Sequence, residues 1–274
     1  MGTAQVFTMA ALMKINLSKY STIGLVSLLS LIIFVIPYSA SLEYSLRGKF
    51  GKGHDLTNYL WIFHQEGFLS HLSLSLELGL LAGLLNLVLM VPTATFLHLS
   101  LQRYKSLVDF ICILPLMIPV VSLAVGAEYS MPSFLQNSQM ELVFFFVILA
   151  LPFTFRVLDS ALSAIPLKTL VEASRSLGAS WPATIMRVIV PAAKGGISSA
   201  FFLSFALGIG EYTITSLLHW DTFTTWTVDI SQQNVLGSIA LSTFSFLFAI
   251  ALLVTIALVS SNRKKKQKEL GETS

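Results

Sequence analysis

Two glutamates in this chain sit where a charge needs a reason. Glu211 lies inside the apolar run LGIGEYTITSLL, Leu207 to Leu218. A carboxylate there is costly in hydrocarbon unless it faces a cavity or a partner. With Tyr212 beside it and Trp220 and Trp226 following, the chemistry suggested is recognition of an organic cation, since aromatic faces attract positive charge. Glu77 and Asn86, in an earlier apolar run, are further polar candidates for a pathway; Asn86 alternatively bonds across helices. Glu172 belongs to a different setting, the charged stretch VEASRSLGASWPATIMRVIVP, Val171 to Pro191. Lys168, Glu172 and Arg175 share one side of a helix there at i,i+4 and i,i+3 spacing. Leu167, Leu170, Val171, Ser174 and Leu177 fall on the other side. That pattern reads as a short helix with one apolar and one charged side.

Catalytic patterns are missing. The stretch GKFGKGHD, Gly48 to Asp55, lacks the terminal Lys-Ser/Thr pair of a phosphate-binding loop. The five histidines form no HExxH pair, and no serine is marked out by a motif. Cys112 is the single cysteine, so neither a disulfide framework nor a cysteine-based metal site can form within the chain. No catalytic residue, cofactor site or metal site is expected.

The elements that must position these residues are membrane spans. Hydrophobic residues make up 54% of the 274 and charged residues only 11%, against about a quarter in soluble domains. A span needs about 20 mostly apolar residues. Six runs qualify: Thr22 to Leu42, Leu72 to His98, Leu107 to Ala127, Glu141 to Ala161, Gly196 to Leu218 and Gly237 to Ser260. The first has no convincing cleavage site and reads as a retained span. With both termini in the cytosol, thirteen lysines and arginines fall on inner segments and three, Arg47, Lys49 and Lys52, on outer ones. That imbalance fixes the orientation by the positive-inside rule. The basic tail from Arg263 to Lys268 then marks a cytosolic end rather than a nucleic-acid site. Pro37, Pro92, Pro115, Pro119 and Pro152 lie in or near the spans, where each removes a backbone donor and can bend a helix.

Between the fourth and fifth spans, on the cytosolic side, the Val171 to Pro191 stretch reads as two short helices. Gly178 ends the first in a conformation closed to other residues. Ser180 caps the second, Pro182 fits its first turn, and Pro191 ends it. From physics alone, an amphipathic loop resting on lipid headgroups fits equally well. The spacing nevertheless resembles the EAA loop of permease subunits of bacterial binding-protein-dependent ABC importers: Glu-Ala-Ala, three residues, Gly, nine residues, then Ile-x-Leu-Pro. Glu172, Ala173, Gly178 and Pro191 match; Ser174 stands for the second alanine and Val188 and Val190 for the isoleucine and leucine.

The resemblance implies an all-α membrane protein with the type I importer transmembrane fold, six helices and both termini cytosolic. It implies residues 1–71 as cytosolic N-terminus, first helix and outer loop, 72–260 as the transport domain carrying the EAA loop at 167–191, and 261–274 as a basic tail. Glu172, Ala173, Arg175, Gly178 and Pro191 would couple to a cytosolic ATPase, the glutamate pairing with a basic residue of that partner. ATP hydrolysis would belong to that separate chain. The other partners implied are a second permease subunit, similar or identical, an external solute-binding protein and the lipid bilayer of the bacterial inner membrane, with no nucleic acid. The GEYT region resembles the subgroup serving polyamines, thiamine, ferric ion, phosphonates and related oxyanions, and its carboxylate and aromatics favour polyamines. Glu211 is expected on the inner face of the bundle near the solute route, with Tyr212, Asn86 and Glu77 as companions. The alternative classes are an ion-coupled secondary transporter acting alone, using Glu77, Asp109, Asp159 and Glu211, and a non-transporting membrane scaffold.

Overall fold

The computed structural model describes residues 3–48, 53–136, 138–248 and 250–251. Among these the regular structure is helical apart from one bridge between Arg47 and His54. Four helical stretches are long and apolar enough to cross a membrane: Ile23–Ser45, Phe68–Leu99, Met140–Ser163 and Lys194–Leu217. A bent pair makes a fifth span if counted as one. The sixth expected span begins as an apolar helix, Val235–Phe248; its end toward Ser260 and the basic tail lie outside the described residues.

The chain divides into two compact units. The first holds residues 1–64 and 231–257, with α1 (Thr3–Ser45) and α2 (Thr57–Phe63). The apolar helix Val235–Phe248, numbered α13 in chain order, belongs to it as well. Tyr38 of α1 stacks on Phe246 of α13 at 3.9 Å, and Ser41 and Thr243 share a hydroxyl hydrogen bond of 2.8 Å. The buried amide of Asn58 donates to the Ser45 and Arg47 carbonyls, satisfying acceptors that the end of α1 leaves without intrahelical donors.

The second unit, built on residues 65–230, packs α3 (Phe68–Leu99), α6 (Met140–Ser163) and α10 (Lys194–Ile209) against one another. Lipid tails are as apolar as leucine, so such helices associate by close fit and interhelical hydrogen bonds rather than by escape from water. Small residues set the fit here. Gly79 and Gly83 in the run GLLAG put a GxxxG face of α3 against α10: a Cβ on Gly208 would lie 3.3 Å from the Gly79 Cα, and a Cβ on Gly79 would lie 3.2 Å from the Phe205 carbonyl. At the opposite end of α10, a Cβ on Gly196 would collide with the Ala161 methyl of α6.

The third span is sharply broken. α4 (Lys105–Met117) and α5 (Val120–Ser130) meet at 94°. Ile118, held at φ −85 and ψ 132, precedes Pro119, whose ring disfavours helical backbone in the residue before it. Pro37, Pro92, Pro115 and Pro152 lie inside continuous helices. The fifth span is interrupted at Gly210 to Tyr212 and resumes as α11 (Thr213–Leu217), followed by α12 (Phe223–Gln233). At the 163–194 end of the bundle, Met90, Ala94 and Leu97 of α3, Leu158 and Leu162 of α6 and Ile197 of α10 form a buried cluster that also takes in Leu167, Val171 and Ile189 of the intervening loop.

Candidate functional site

The loop between α6 and α10 is a helical hairpin seated on that cluster. Its first arm, α7 (Leu167–Ser176), buries Leu167, Val171 and Ser174, as the 3.6-residue period requires. Leu177, expected on the same side, instead projects outward with 89% of its surface exposed, because the helix ends at this residue. The corner that follows has two diagnostic bonds: the Gly178 N–H donates to the Arg175 carbonyl at 3.0 Å and the Ala179 N–H to the Ser174 carbonyl at 3.2 Å. This is the Schellman ending, whose first residue beyond the cap must be left-handed. Gly178 has φ +80, and open space surrounds the position its Cβ would take. Backbone conformation, not room, is what calls for glycine there.

The second arm begins at Ser180, whose hydroxyl accepts from the Ala183 N–H at 3.4 Å while Pro182 occupies the first turn of α8 (Trp181–Thr184). α8 runs into a π-helical turn, Ile185–Ile189, and then α9, Val190–Ala192. Pro191 therefore does not terminate the arm. The π turn shifts the hydrogen-bond pattern just before the proline, where its missing N–H would otherwise leave a gap in the ladder. The break comes at Ala193, at φ −100 and ψ 16.

Charge is distributed unevenly over this hairpin. Glu172 is held only loosely by Lys168 at 4.0 Å, and both side chains are mostly exposed, at 65% and 81%. Ala173 is exposed beside it, and Leu177 and Met186 project from the two arms. Arg175 is exposed and folds back over the corner: its guanidinium donates to the Ala179 carbonyl and lies 5.3 Å above the ring of the half-buried Trp181. Trp181 in turn packs on Phe96 of α3 at 4.8 Å. The two arms are also tied by hydroxyls, Ser174 to Thr184 at 3.0 Å, both buried. Thr184, Trp181 and Phe96 were not singled out by the sequence; Ser174 was placed on the apolar side of the first arm, but its bond to Thr184 was not foreseen.

The four pathway candidates do not converge. Asn86 is fully buried and fully engaged. It donates to Ser204 of α10 at 3.2 Å and toward the Val147 carbonyl of α6 at 3.5 Å, and accepts from Thr154 of α6 at 3.0 Å. It ties three helices together. Glu211 is half-buried, and its Oε1 accepts from the Ile214 N–H at 2.7 Å, capping α11 where the fifth span breaks. Its own carbonyl receives the Thr215 and Thr224 hydroxyls. Tyr212 is exposed, as is Glu77 on α3.

Other polar groups are placed that the sequence reading had not joined. Near the loop end, Asp159 pairs with Lys105 at 2.6 Å and His98 at 3.2 Å, and Asp109 with Arg156 at 3.6 Å. A cavity of about 570 Å³ lies among Lys105, Asp109, Arg156 and Asp159. At the far end of α6, Glu141 is buried and accepts from the Trp220 indole at 2.6 Å, beside a cavity of about 380 Å³ that Tyr129, Gln136 and His219 also line. Among the described residues no three metal-ligating side chains come together.

Residues 79–263 match the family described as binding-protein-dependent transport system inner membrane component. The molybdenum transport system permease protein ModB of Azotobacter vinelandii is 29% identical over 167 residues, 56% of this chain and 74% of that protein. A solved structure titled as a crystal structure of an amino acid ABC transporter with histidines superposes with a TM-score of 0.43 at 18% identity, over 72% of this chain and 95% of that one.

Proposed function

The chain belongs to the family of binding-protein-dependent transport system inner membrane components and is a multi-pass permease subunit of an ABC importer, not an enzyme; we propose that it docks a cytosolic ATPase through the 167–191 hairpin. One observation supports this most directly. The hairpin anchors its apolar side in the bundle yet leaves Glu172, Ala173, Leu177 and Met186 exposed on a corner fixed by Gly178. A charged group flanked by apolar projections, on a rigid support, is what a partner cleft needs. Glu172 pairs in this reading with a basic residue of the ATPase, while Ala173, Gly178 and Pro191 shape the docking face.

Residues 72–260 form the transport domain in this reading, and residues 1–71 add the first span and an outer loop. Both termini face the cytosol of a bacterium, across its inner membrane. A second permease subunit, similar or identical, completes the pathway, and an external binding protein delivers the solute.

The solute is a small charged molecule, and two classes are in play. Trp220 and Tyr129 beside a carboxylate, Glu141, support the polyamine reading that Glu211 supported in the sequence. The likeness to a molybdenum permease protein supports an oxyanion. Titrating the cognate binding protein with spermidine and with molybdate separates them.

The docking reading is tested by Glu172→Lys. Reversing one side of an interfacial ion pair costs about 2 to 5 kcal/mol. The variant should insert and fold but lose the ATPase on purification in mild detergent. Retention of the ATPase at the parent level would refute the assignment of Glu172.

A further inference from the structure

The hairpin contains a strut that nothing in the docking role requires. Arg175 is the last basic residue of α7, on the same helix as Glu172. Its guanidinium is spent internally, on the Ala179 carbonyl just past the glycine corner and on the face of Trp181. Trp181, at the start of the second arm, is held from the other side by the Phe96 ring of α3. Arg175, Trp181 and Phe96 thus form a continuous line from the corner of the hairpin to one of the three long helices of the bundle. The buried Ser174–Thr184 hydroxyl pair closes the same triangle by locking the two arms.

We propose that Arg175 and Trp181 are positioning residues that convert movement of the docked hairpin into movement of α3 through Phe96. This rests on the docking reading and adds to it. Docking uses Glu172 and its exposed neighbours, and transmission uses the half-buried Trp181 on Phe96, with the exposed Arg175 bracing the indole from outside. The alternative of a thin surface loop lying on headgroups has no use for a stacked cation, two rings and a buried hydroxyl brace at one corner. A rigid lever does. Aromatic rings in contact resist compression, because packed interiors respond to a push by moving as blocks rather than by deforming continuously. The guanidinium, planar and always charged, keeps the indole from swinging away when the corner is loaded.

The test uses the complete transporter with its ATPase in lipid vesicles. Cys112→Ala removes the native thiol, and Ser216→Cys places a reporter on α11, in the span that α3 packs against. The quantity read is the ratio of N-ethylmaleimide labelling rates with and without ATP plus vanadate. In the parent this ratio should depart from one by at least about fivefold. Trp181→Ala should bring it within about twofold of one while the ATPase still copurifies. Trp181→Phe, which keeps a ring against Phe96, should retain at least half of the parent response. Three results overturn the strut: a parent ratio of one, an unchanged ratio in Trp181→Ala, or loss of the ATPase from a Trp181→Ala protein that remains folded. The docking reading fails by a separate signal, copurification of the ATPase with Glu172→Lys, so the two failures cannot be confused.

Discussion

Gly178 offers the cleanest separation of two reasons for a glycine. Its φ of +80 lies in the left-handed region, and no atom lies within 4 Å of the position a Cβ would occupy. A substitution at this site therefore meets strain without collision. For an ordinary side chain that strain is about 1 to 2 kcal/mol; asparagine, which tolerates the region, should cost less, and β-branched valine more. The corner can relieve the strain by giving up the bonds from Gly178 and Ala179 to Arg175 and Ser174, which unseats the docking face. On the docking proposal the relaxed form does not bind the partner, so apparent affinity falls by the fraction that remains competent. At about 1.4 kcal/mol per factor of ten, Gly178→Ala should weaken binding of the purified ATPase by up to about tenfold, Gly178→Asn by less, and Gly178→Val by more than either. Surface-immobilised permease titrated with ATPase gives the three constants. If valine binds as glycine does, or if alanine and asparagine are equally impaired, backbone strain at the corner is not what glycine relieves.

Glu211 should separate by chemistry in the same way. Glu211→Gln keeps an oxygen that can accept from the Ile214 N–H, whereas Glu211→Ala removes the cap; the expected losses of stability are small for the first and about 1 kcal/mol for the second, read by thermal unfolding in detergent, and impaired transport in Glu211→Gln with stability intact would assign the charge to the pathway. Asn86→Leu strips three interhelical bonds from the middle of the bundle; at about 0.6 kcal/mol each, the unfolding free energy should drop by roughly 2 kcal/mol, and an unchanged midpoint would show that the knot holds nothing. For topology, Ser45 is unsuitable for labelling, being buried between the Leu42 carbonyl and Tyr59. Cysteines at the exposed His54 and at Ser261, without Cys112, should react from opposite sides of the membrane; reaction of both from one side would overturn the cytosolic placement of both termini.

Much of the hairpin was readable because each of its parts depends on a local rule. A left-handed glycine, a serine cap and a proline in the first turn act over three or four residues, and the chain places all of them as expected. Pro191 escaped the same logic because a π turn, which no local pattern announced, accommodates it. The broken third span was half legible: Pro119 was marked, but whether a proline breaks a helix depends on its neighbours, and the helices around Pro92 and Pro152 are unbroken. Of the helix contacts only one was foreseen, Asn86 as a residue that bonds across helices. The GLLAG run of α3 carries a recognisable small-residue spacing, yet which helix it meets is decided by Gly208, over a hundred residues away. Helical periodicity puts Arg175 beside Glu172, and it is exposed as that implies; what periodicity could not show is that the folded corner brings Ala179 and Trp181 within its reach.

What the polar groups do with their hydrogen-bonding capacity bears on the mode of transport. An ion-coupled carrier acting alone needs a carboxylate in the membrane interior free to exchange its ion or proton. Four acids were available for that task. Asp109 and Asp159 are bound to Arg156, Lys105 and His98 near the hairpin end, Glu211 caps a helix, and Glu77 is exposed on the outside of α3. None combines burial with freedom. Glu172, by contrast, stands on a rigid corner outside the apolar spans with its carboxylate two-thirds exposed and only a distant lysine for company. Asp109 and Asp159 are spent on ion pairs within the bundle, whereas the carboxylate of the hairpin is left exposed, as the docking proposal requires. That is the distribution expected of a subunit whose energy source sits in another chain, and it supports the proposal that this energy enters through the hairpin rather than through any group in the spans.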